Sequence, residues 1–338
     1  MMTVLPVMVI ACLLRDKEIC GWGRTPDSMS SMDLSRSSKA RADPLSDVLT
    51  ALGANVARCT RLEAAGEWAL SFPARDRLKF VALLRGSAWL VVPHEAPRRM
   101  SAGDVCLIGR VGYTVASDPE LPPGEGQALY GDRDEARLGG DETVALGGTV
   151  TFSPGNTDFL LDMLPDLLVV PHSSPASSSV RTILGLLNAE AERDAMGSRI
   201  VGSRLADVLL VEAIRAYAES SDGARTGWLG ALCDARLGRA LRAIHQDIAC
   251  QWTVARLAGT AGMSRAAFAA AFTRQVGQPP LAYVRAWRLT LARAALSQGD
   301  LNIAGLASSL GYTSQSAFTH AFRGAFGVAP KALARSKT

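Results

Sequence analysis

The chain has 338 residues, 48% hydrophobic and 20% charged. That is enough apolar material for two folded domains and too much for a chain disordered throughout. The net charge of +4 conceals a division: from Arg225 onward there are 14 Lys and Arg against 3 Asp and Glu, while the rest holds 22 against 29. A basic end on an acidic body points to a polyanionic partner for that end, a solvated basic face being the plainer reading.

The first 43 residues read as a tail. The apolar run from Val4 to Leu14 is too short to span a bilayer. It lacks the basic start and small-residue cleavage site of a signal peptide. Arg24 to Asp43 is rich in Ser, Met and charge and reads as disordered, with Met29 or Met32 as alternative natural starts. The six cysteines (Cys12, Cys20, Cys59, Cys106, Cys233, Cys250) include no Cys-x-x-Cys pair. Such scatter fits reduced thiols in a cytoplasm better than a disulfide framework.

Residues 44–222 form the next unit. Short apolar runs at Leu78–Leu84, Ala88–Val92, Val105–Ile108 and Thr149–Phe152 are broken by Gly, Pro and Asp. This pattern predicts a β sandwich or barrel, with Gly103-Asp104 turning into a strand. Asp118 to Glu142 is expected to be an exposed loop. Pro171 to Ser179 reads as a connector into helical sequence. There Ile200, Leu205, Val208, Leu209, Ala213 and Tyr217 recur at helical spacing and predict a core face or dimer seam. Ser220 to Arg225 is a polar linker where the charge changes sign.

Residues 223–338 contain a repeat. Val254, Leu257 and Gly262 correspond to Ile303, Leu306 and Gly311, 49 residues later. At an offset of 50, Ser264, Phe268, Phe272, Val276, Gly277 and Pro280 correspond to Ser314, Phe318, Phe322, Phe326, Gly327 and Pro330. Each copy predicts helix, Gly-containing turn, Ser-capped second helix and a Gly stop, which is the helix-turn-helix pattern. Two copies exclude a solenoid. Leu281 to Ser297, with Arg285, Arg288 and Arg293, predicts one connecting helix of about 25 Å.

The stretches Trp252-Thr253-Val254, Ala261-Gly262-Met263-Ser264-Arg265 and Gly311-Tyr312 through Phe326-Gly327-Val328-Ala329-Pro330 resemble the paired helix-turn-helix units of AraC-type regulators. Ser101-Ala102-Gly103-Asp104-Val105 and Leu160-Leu161-Asp162-Met163-Leu164-Pro165 look like the cupin-type sensor of one AraC subgroup. The resemblance implies an α+β chain: a cupin-like β barrel with accessory helices, then an all-α domain. It implies a sequence-specific regulator of promoter DNA, often an activator that contacts RNA polymerase. It also implies dimerisation or a small-molecule effector in the β domain, with a homodimer expected. The base-reading positions carried over are Arg265, Ala266, Ala269 and Ala270, then Gln315, Ser316, Thr319 and His320. Three of the first four are alanine, which departs from the family pattern. Alanine can meet a thymine methyl but cannot hydrogen-bond to a base edge. Arg274, Arg285, Arg288 and Arg323 are the candidates for phosphate contacts.

Two other readings stand beside this one. One is a cupin-type metal enzyme, which needs clustered ligands. The four histidines, His94, His172, His245 and His320, include no close pair, and Tyr113 stands where a cupin histidine is expected. No cofactor motif or activated nucleophile stands out, so no enzyme activity and no cofactor is expected. The other is a degenerate regulator that acts mainly as a dimerisation partner. In the β domain, Trp68, Phe80, Trp89 and Tyr113 are candidates to line an effector pocket.

Overall fold

The computed structural model describes residues 42–335 apart from 154, 156, 194, 221–226 and 300–301. The expected amino-terminal tail, with its alternative starts, and nearly all of the 220–225 linker lie outside the described residues.

Two sheets form the amino-terminal barrel. The first holds, in spatial order, β11 (Leu167–Val170), β6 (Val105–Ile108), β3 (Leu78–Arg85), β10 (Thr143–Thr151), β1 (Asn55–Ala64) and β9 (Glu135–Leu138). The second holds β5 (Arg98–Ser101), β4 (Ser87–Val91), β7 (Tyr113–Ala116), β2 (Ala69–Phe72) and β8 (Gly124–Glu125). Side chains alternate across each strand. Val81 and Leu83 of β3 therefore face the second sheet, while Leu78, Phe80 and Ala82 face the helices behind. A bulge in β1 between Val56 and Arg58 resets this alternation, so Val56 joins the outer core and Leu62 the inner one.

The stretch from Asp118 to Glu142 is not simply a loop. It contains β8, the short helix α2 (Gly126–Tyr130) and β9, with Tyr130 and Ala136 buried. Its Pro, Gly and acidic residues supply the turns between elements too short to show a period.

Helices α1 (Pro44–Ala51), α3 (Thr157–Leu161), α4 (Ser178–Arg193) and α5 (Ser198–Glu219) lie on the outer face of the first sheet. The predicted helix exists as α5, with its inward face slightly rotated. Leu209, Ala213 and Tyr217 are buried with Ala206, Leu210 and Ile214, whereas Ile200 and Val208 point to solvent. Val208 is two residues from both Ala206 and Leu210, about 200° around the helix from each.

The carboxyl-terminal helices are α6 (Gly227–Cys233), α7 (Leu237–Gln246), α8 (Val254–Ala261), α9 (Arg265–Val276), α10 (Pro280–Ser297), α11 (Ile303–Ser309), α12 (Gln315–Phe326) and α13 (Pro330–Arg335). The repeat dictates their ends. Thr253 and Asn302 cap α8 and α11, accepting from the amides of Arg256 and Gly305. Ser264 and Ser314 cap α9 and α12, accepting from Ala267 and Ala317. Gly277 and Gly327 close the second helices in the left-handed conformation.

One core runs through the molecule. The outer face of the first sheet, α1, α3, α4 and α5 share it with α6 to α9 and the first half of α10. The second helix-turn-helix unit has its own smaller core, built on the far half of α10 around Leu306, Phe318 and Phe322.

At the centre of the shared core, His245 of α7 is fully buried. It stacks on Trp287 at 4.7 Å and meets Tyr283 through a 2.8 Å hydrogen bond from the hydroxyl to Nε2. The direction follows because the Asp47 carboxylate on Nδ1 can only accept, which leaves Nε2 of the neutral ring as the acceptor, while the Tyr283 oxygen also accepts from the Trp228 indole N–H at 3.1 Å. Nδ1–H donates to Asp47 of α1 at 3.2 Å. Phe159 of α3 packs on both Tyr283 and Trp287. Arg110 holds α3 against the barrel by gripping Asp76, Asp158 and Asp162.

Burial pushes the His245 pKa below the ordinary imidazole value, outweighing the pull of Asp47. A folded-state pKa below the unfolded one adds stability above about pH 6.5 and loses it as pH falls below that value. Urea denaturation at pH 7.5 and pH 5.5 is therefore expected to show a larger acid-induced loss in the natural chain than in His245→Gln. Equal losses would mean that His245 is not held neutral.

Candidate nucleic-acid interface

In both units the second helix turns its aromatic side inward. Phe268, Phe272 and Val276 of α9 are buried, as are Phe318, Ala321 and Phe322 of α12. What remains outside is the set of positions named from the sequence. On α9, Arg265, Ala266 and Ala270 are exposed and Ala269 is partly covered. On α12, Gln315, Ser316, Thr319, His320 and Arg323 line one open depression. Neither helix, nor α10 between them, contains an acidic residue, so nothing on these surfaces repels a phosphate chain.

Arg265, Arg274, Arg285 and Arg323 are exposed and form no ion pair among the described residues. Arg288 is placed differently. Its guanidinium donates to the carbonyls of Ile248 at 3.0 Å, Cys250 at 2.7 Å and Gly311 at 3.4 Å. It also lies over the Tyr312 ring at 5.8 Å. Three of the N–H donors expected to meet phosphate are thus engaged within the protein. Arg288 ties the loop before α8 to the turn of the second unit.

Gly311 makes that contact possible. Its φ of +76° suits glycine, and a Cβ there would lie 2.3 Å from the Ala249 carbonyl oxygen. Gln251 adds a hydrogen bond to the Gly311 carbonyl at 2.8 Å. The sequence shows Gly311 as a turn residue but not its partner, since Arg288 and Arg285 look alike on a basic helix.

Of the aromatic residues expected to line an effector pocket, only Tyr113 does so. Trp68 is buried in the inner core, Phe80 lies on the opposite face of its sheet, and Trp89 is half-buried on β4. His94 occupies an exposed turn at φ +66°. Among the described residues no three His, Cys, Asp or Glu side chains converge as a metal site. Burial pushes the Cys106 thiol up to about 12, which suits a packing role rather than a reactive one.

Arg288→Ala removes charge-assisted donors and strands carbonyls of two loops. A loss of about 2–3 kcal/mol is expected, measurable as a lower midpoint in urea. Arg285→Ala, on the same helix but exposed, is expected to cost under about 0.5 kcal/mol. Equal losses would show that the carbonyl contacts of Arg288 contribute nothing.

Residues 43–219 match a family profile described as Cupin, and residues 257–336 one described as Helix-turn-helix domain. The chain is 37% identical over 293 residues to a protein of Streptomyces lividans named as an AraC-like transcription regulator. The match covers 85% of this chain and 96% of that one. A Streptomyces antibioticus protein of the same description shares 37% identity, over 85% of this chain and 97% of its own. The HTH-type transcriptional regulator AlkR of Acinetobacter baylyi is 31% identical over 86% of this chain and 98% of its own. With both profiles matched and these relatives aligned along most of their length, the chain belongs to the AraC-like family of DNA-binding transcription regulators, with a cupin-type β domain ahead of its paired helix-turn-helix units.

Proposed function

We propose that this regulator lays α9 and α12 into successive major grooves of promoter DNA, working in the cytoplasm as a homodimeric activator that contacts RNA polymerase. The division proposed is a sensor over 44–222 and a DNA-binding part over 223–338, with the barrel sensing rather than catalysing. The observation that carries this reading is the pair of capped second helices whose outer faces are free of acid and flanked by unpaired arginines.

The two helices divide the work unequally. Gln315 can bond an adenine edge with both ends of its amide, and Ser316, Thr319 and His320 offer further donors and acceptors. Of the four carried-over positions on α9 only Arg265 can pair with a base edge, with Thr273 or Arg274 as further candidates, while Ala266, Ala269 and Ala270 offer methyl contacts to thymine. Arg274, Arg285 and Arg323 take phosphates, which fixes register without reading sequence. The 18 residues of α10 span ~27 Å, short of the ~34 Å helical repeat of DNA. A modest bend of the duplex toward the protein closes the difference.

Support for the homodimer comes from α4 and α5. Leu186, Ile200, Val201 and Val208 leave large apolar side chains in water, and a second copy would cover them. Support for an effector comes from a cavity between the two sheets.

A second reading follows from the alanines of α9: a regulator whose first unit binds without reading bases. The test starts by selecting DNA sites from random duplexes with the full chain. Fluorescence anisotropy then compares the selected site with a scrambled one at several salt concentrations. A preference of about a hundredfold, ~2.7 kcal/mol, is expected. Gln315→Ala should reduce that preference by about 1–3 kcal/mol. Arg323→Ala should weaken both duplexes alike and lower the salt slope by about 1. Equal, steeply salt-dependent binding of both duplexes would overturn the sequence-reading proposal. A selected site no longer than one half-turn would favour the second reading.

A further inference from the structure

The cavity between the sheets has a volume of about 90 Å³. At roughly 10–15 Å³ for each water-sized position, it has room for about six to nine non-hydrogen atoms. Val81 and Val115 give it apolar walls, and Gln127 of α2 adds an amide at one side. Gly147 of β10 keeps it open: a Cβ there would stand 3.0 Å from Thr60 Oγ1, another lining residue.

Lys79 is out of keeping with these walls. It projects from β3 into the cavity and is only 9% exposed. Its Nζ lies 3.5 Å from the Pro73 carbonyl oxygen, and over the stacked rings of Phe72 and Tyr113 at 5.7 and 5.1 Å. No carboxylate lines the cavity, and among the described residues Lys79 has no ion-pair partner. The other cation at the rim, Arg58, is already neutralised by Asp134 and bonded to the carbonyls of Gly131 and Arg133.

Burying an ammonium without a counter-ion is costly, and ring faces offset only part of that cost. Burial, with the positive charges of Arg77 and Arg75 added, pushes the Lys79 pKa down to about 8. The group therefore stays mostly charged at neutral pH. One unpaired ammonium in a wall that joins apolar Leu62, Val81 and Val115 to polar Thr60, Thr149 and Gln127 matches one negative charge on a small, mainly apolar body. A phosphate dianion would leave donors short, and a long acyl chain would not fit the volume.

We propose that this cavity is the receptor for a small organic monocarboxylate, with its carboxylate on Lys79 Nζ, its apolar body between the sheets and no more than about nine non-hydrogen atoms in all. The proposal rests on the reading of the barrel as a sensor. It names the ligand class and the charged anchor of that sensor.

The test uses the full chain and three acids: benzoate, pentanoate and hexanoate. Benzamide serves as the neutral shape control and acetate as the anion without a body. Titration calorimetry is expected to show at least one of the three acids binding, with benzamide and acetate at least tenfold weaker. Lys79→Met keeps the stem and removes the charge, and should lower affinity for that acid at least tenfold. Gly147→Val should block the cavity and abolish binding while Lys79 remains. Thermal melts of both variants establish that each is folded. Three results would each overturn the proposal: no acid binds the natural chain, Lys79→Met binds as well as it does, or benzamide matches benzoate. The DNA experiment separates this failure from that of the wider reading. Specific DNA binding with no acid bound removes only the carboxylate site, whereas loss of specificity removes the regulator mechanism whatever the cavity holds.

Discussion

The arrangement of the molecule depends on one buried contact, the cluster of His245, Tyr283 and Trp287 with Phe159 wedged against it. Aromatic packing supplies most of its favourable energy, since each ring buries on the order of 150–250 Å². The hydrogen bonds supply its geometry: Trp228 to Tyr283, Tyr283 to His245, His245 to Asp47. Each donor in that chain has one acceptor in reach, so the rings have one way to fit. The cluster is not fully satisfied, because among the described residues the Trp287 indole N–H has no hydrogen-bond partner. Such an orphan costs about 1–3 kcal/mol, and the apolar area around it must offset that.

Because this cluster joins α1 and α3 to α7 and α10, the first helix-turn-helix unit shares its core with the β domain. The second unit does not. It stands on the far half of α10 and is held to the first by Arg288, Gln251 and the close approach at Gly311. The sheet itself links the barrel interior to the shared core. On β3, Lys79 faces the cavity and its neighbour Phe80 faces the helices. A ligand that moved that strand would act on the packing beneath α4 before reaching any DNA-facing residue.

Much of the carboxyl-terminal half was legible in the sequence, because its determinants are local. Ser264, Ser314, Gly277 and Gly327 act within four residues of where they stand, and the repeat displays them twice. The β domain was legible in class but not in detail. Residues 118–142 hide two short strands and a five-residue helix, lengths at which no period can be read. On α5 the spacing found the helix but included Ile200 and Val208, which face water, since apolar residues occupy more than one stripe. Lys79 and Arg288 were beyond reach for a different reason. Each is defined by partners far away in sequence, Tyr113 for one and Cys250 with Gly311 for the other. A basic residue in an apolar strand or on a basic helix carries no mark of such partners.

The inequality of the two units has a physical logic within the proposed mechanism. A helix fused to the sensor core has little freedom to adjust to a base edge, so directional hydrogen bonds there would be made or lost as a block. Methyl groups tolerate small rotations, because apolar contact has no preferred direction whereas a hydrogen bond weakens steeply with angle. Alanines on α9 thus suit a unit whose position is set by the sensor, with Arg265 as a long and adaptable reader. The second unit has a core of its own on the far half of α10. There, the directional groups Gln315, Ser316, Thr319 and His320 can be brought to register by the phosphate contacts around them. On this view the departure from the family pattern in α9 is a consequence of where the core runs, and sequence reading concentrates in the unit whose core is its own.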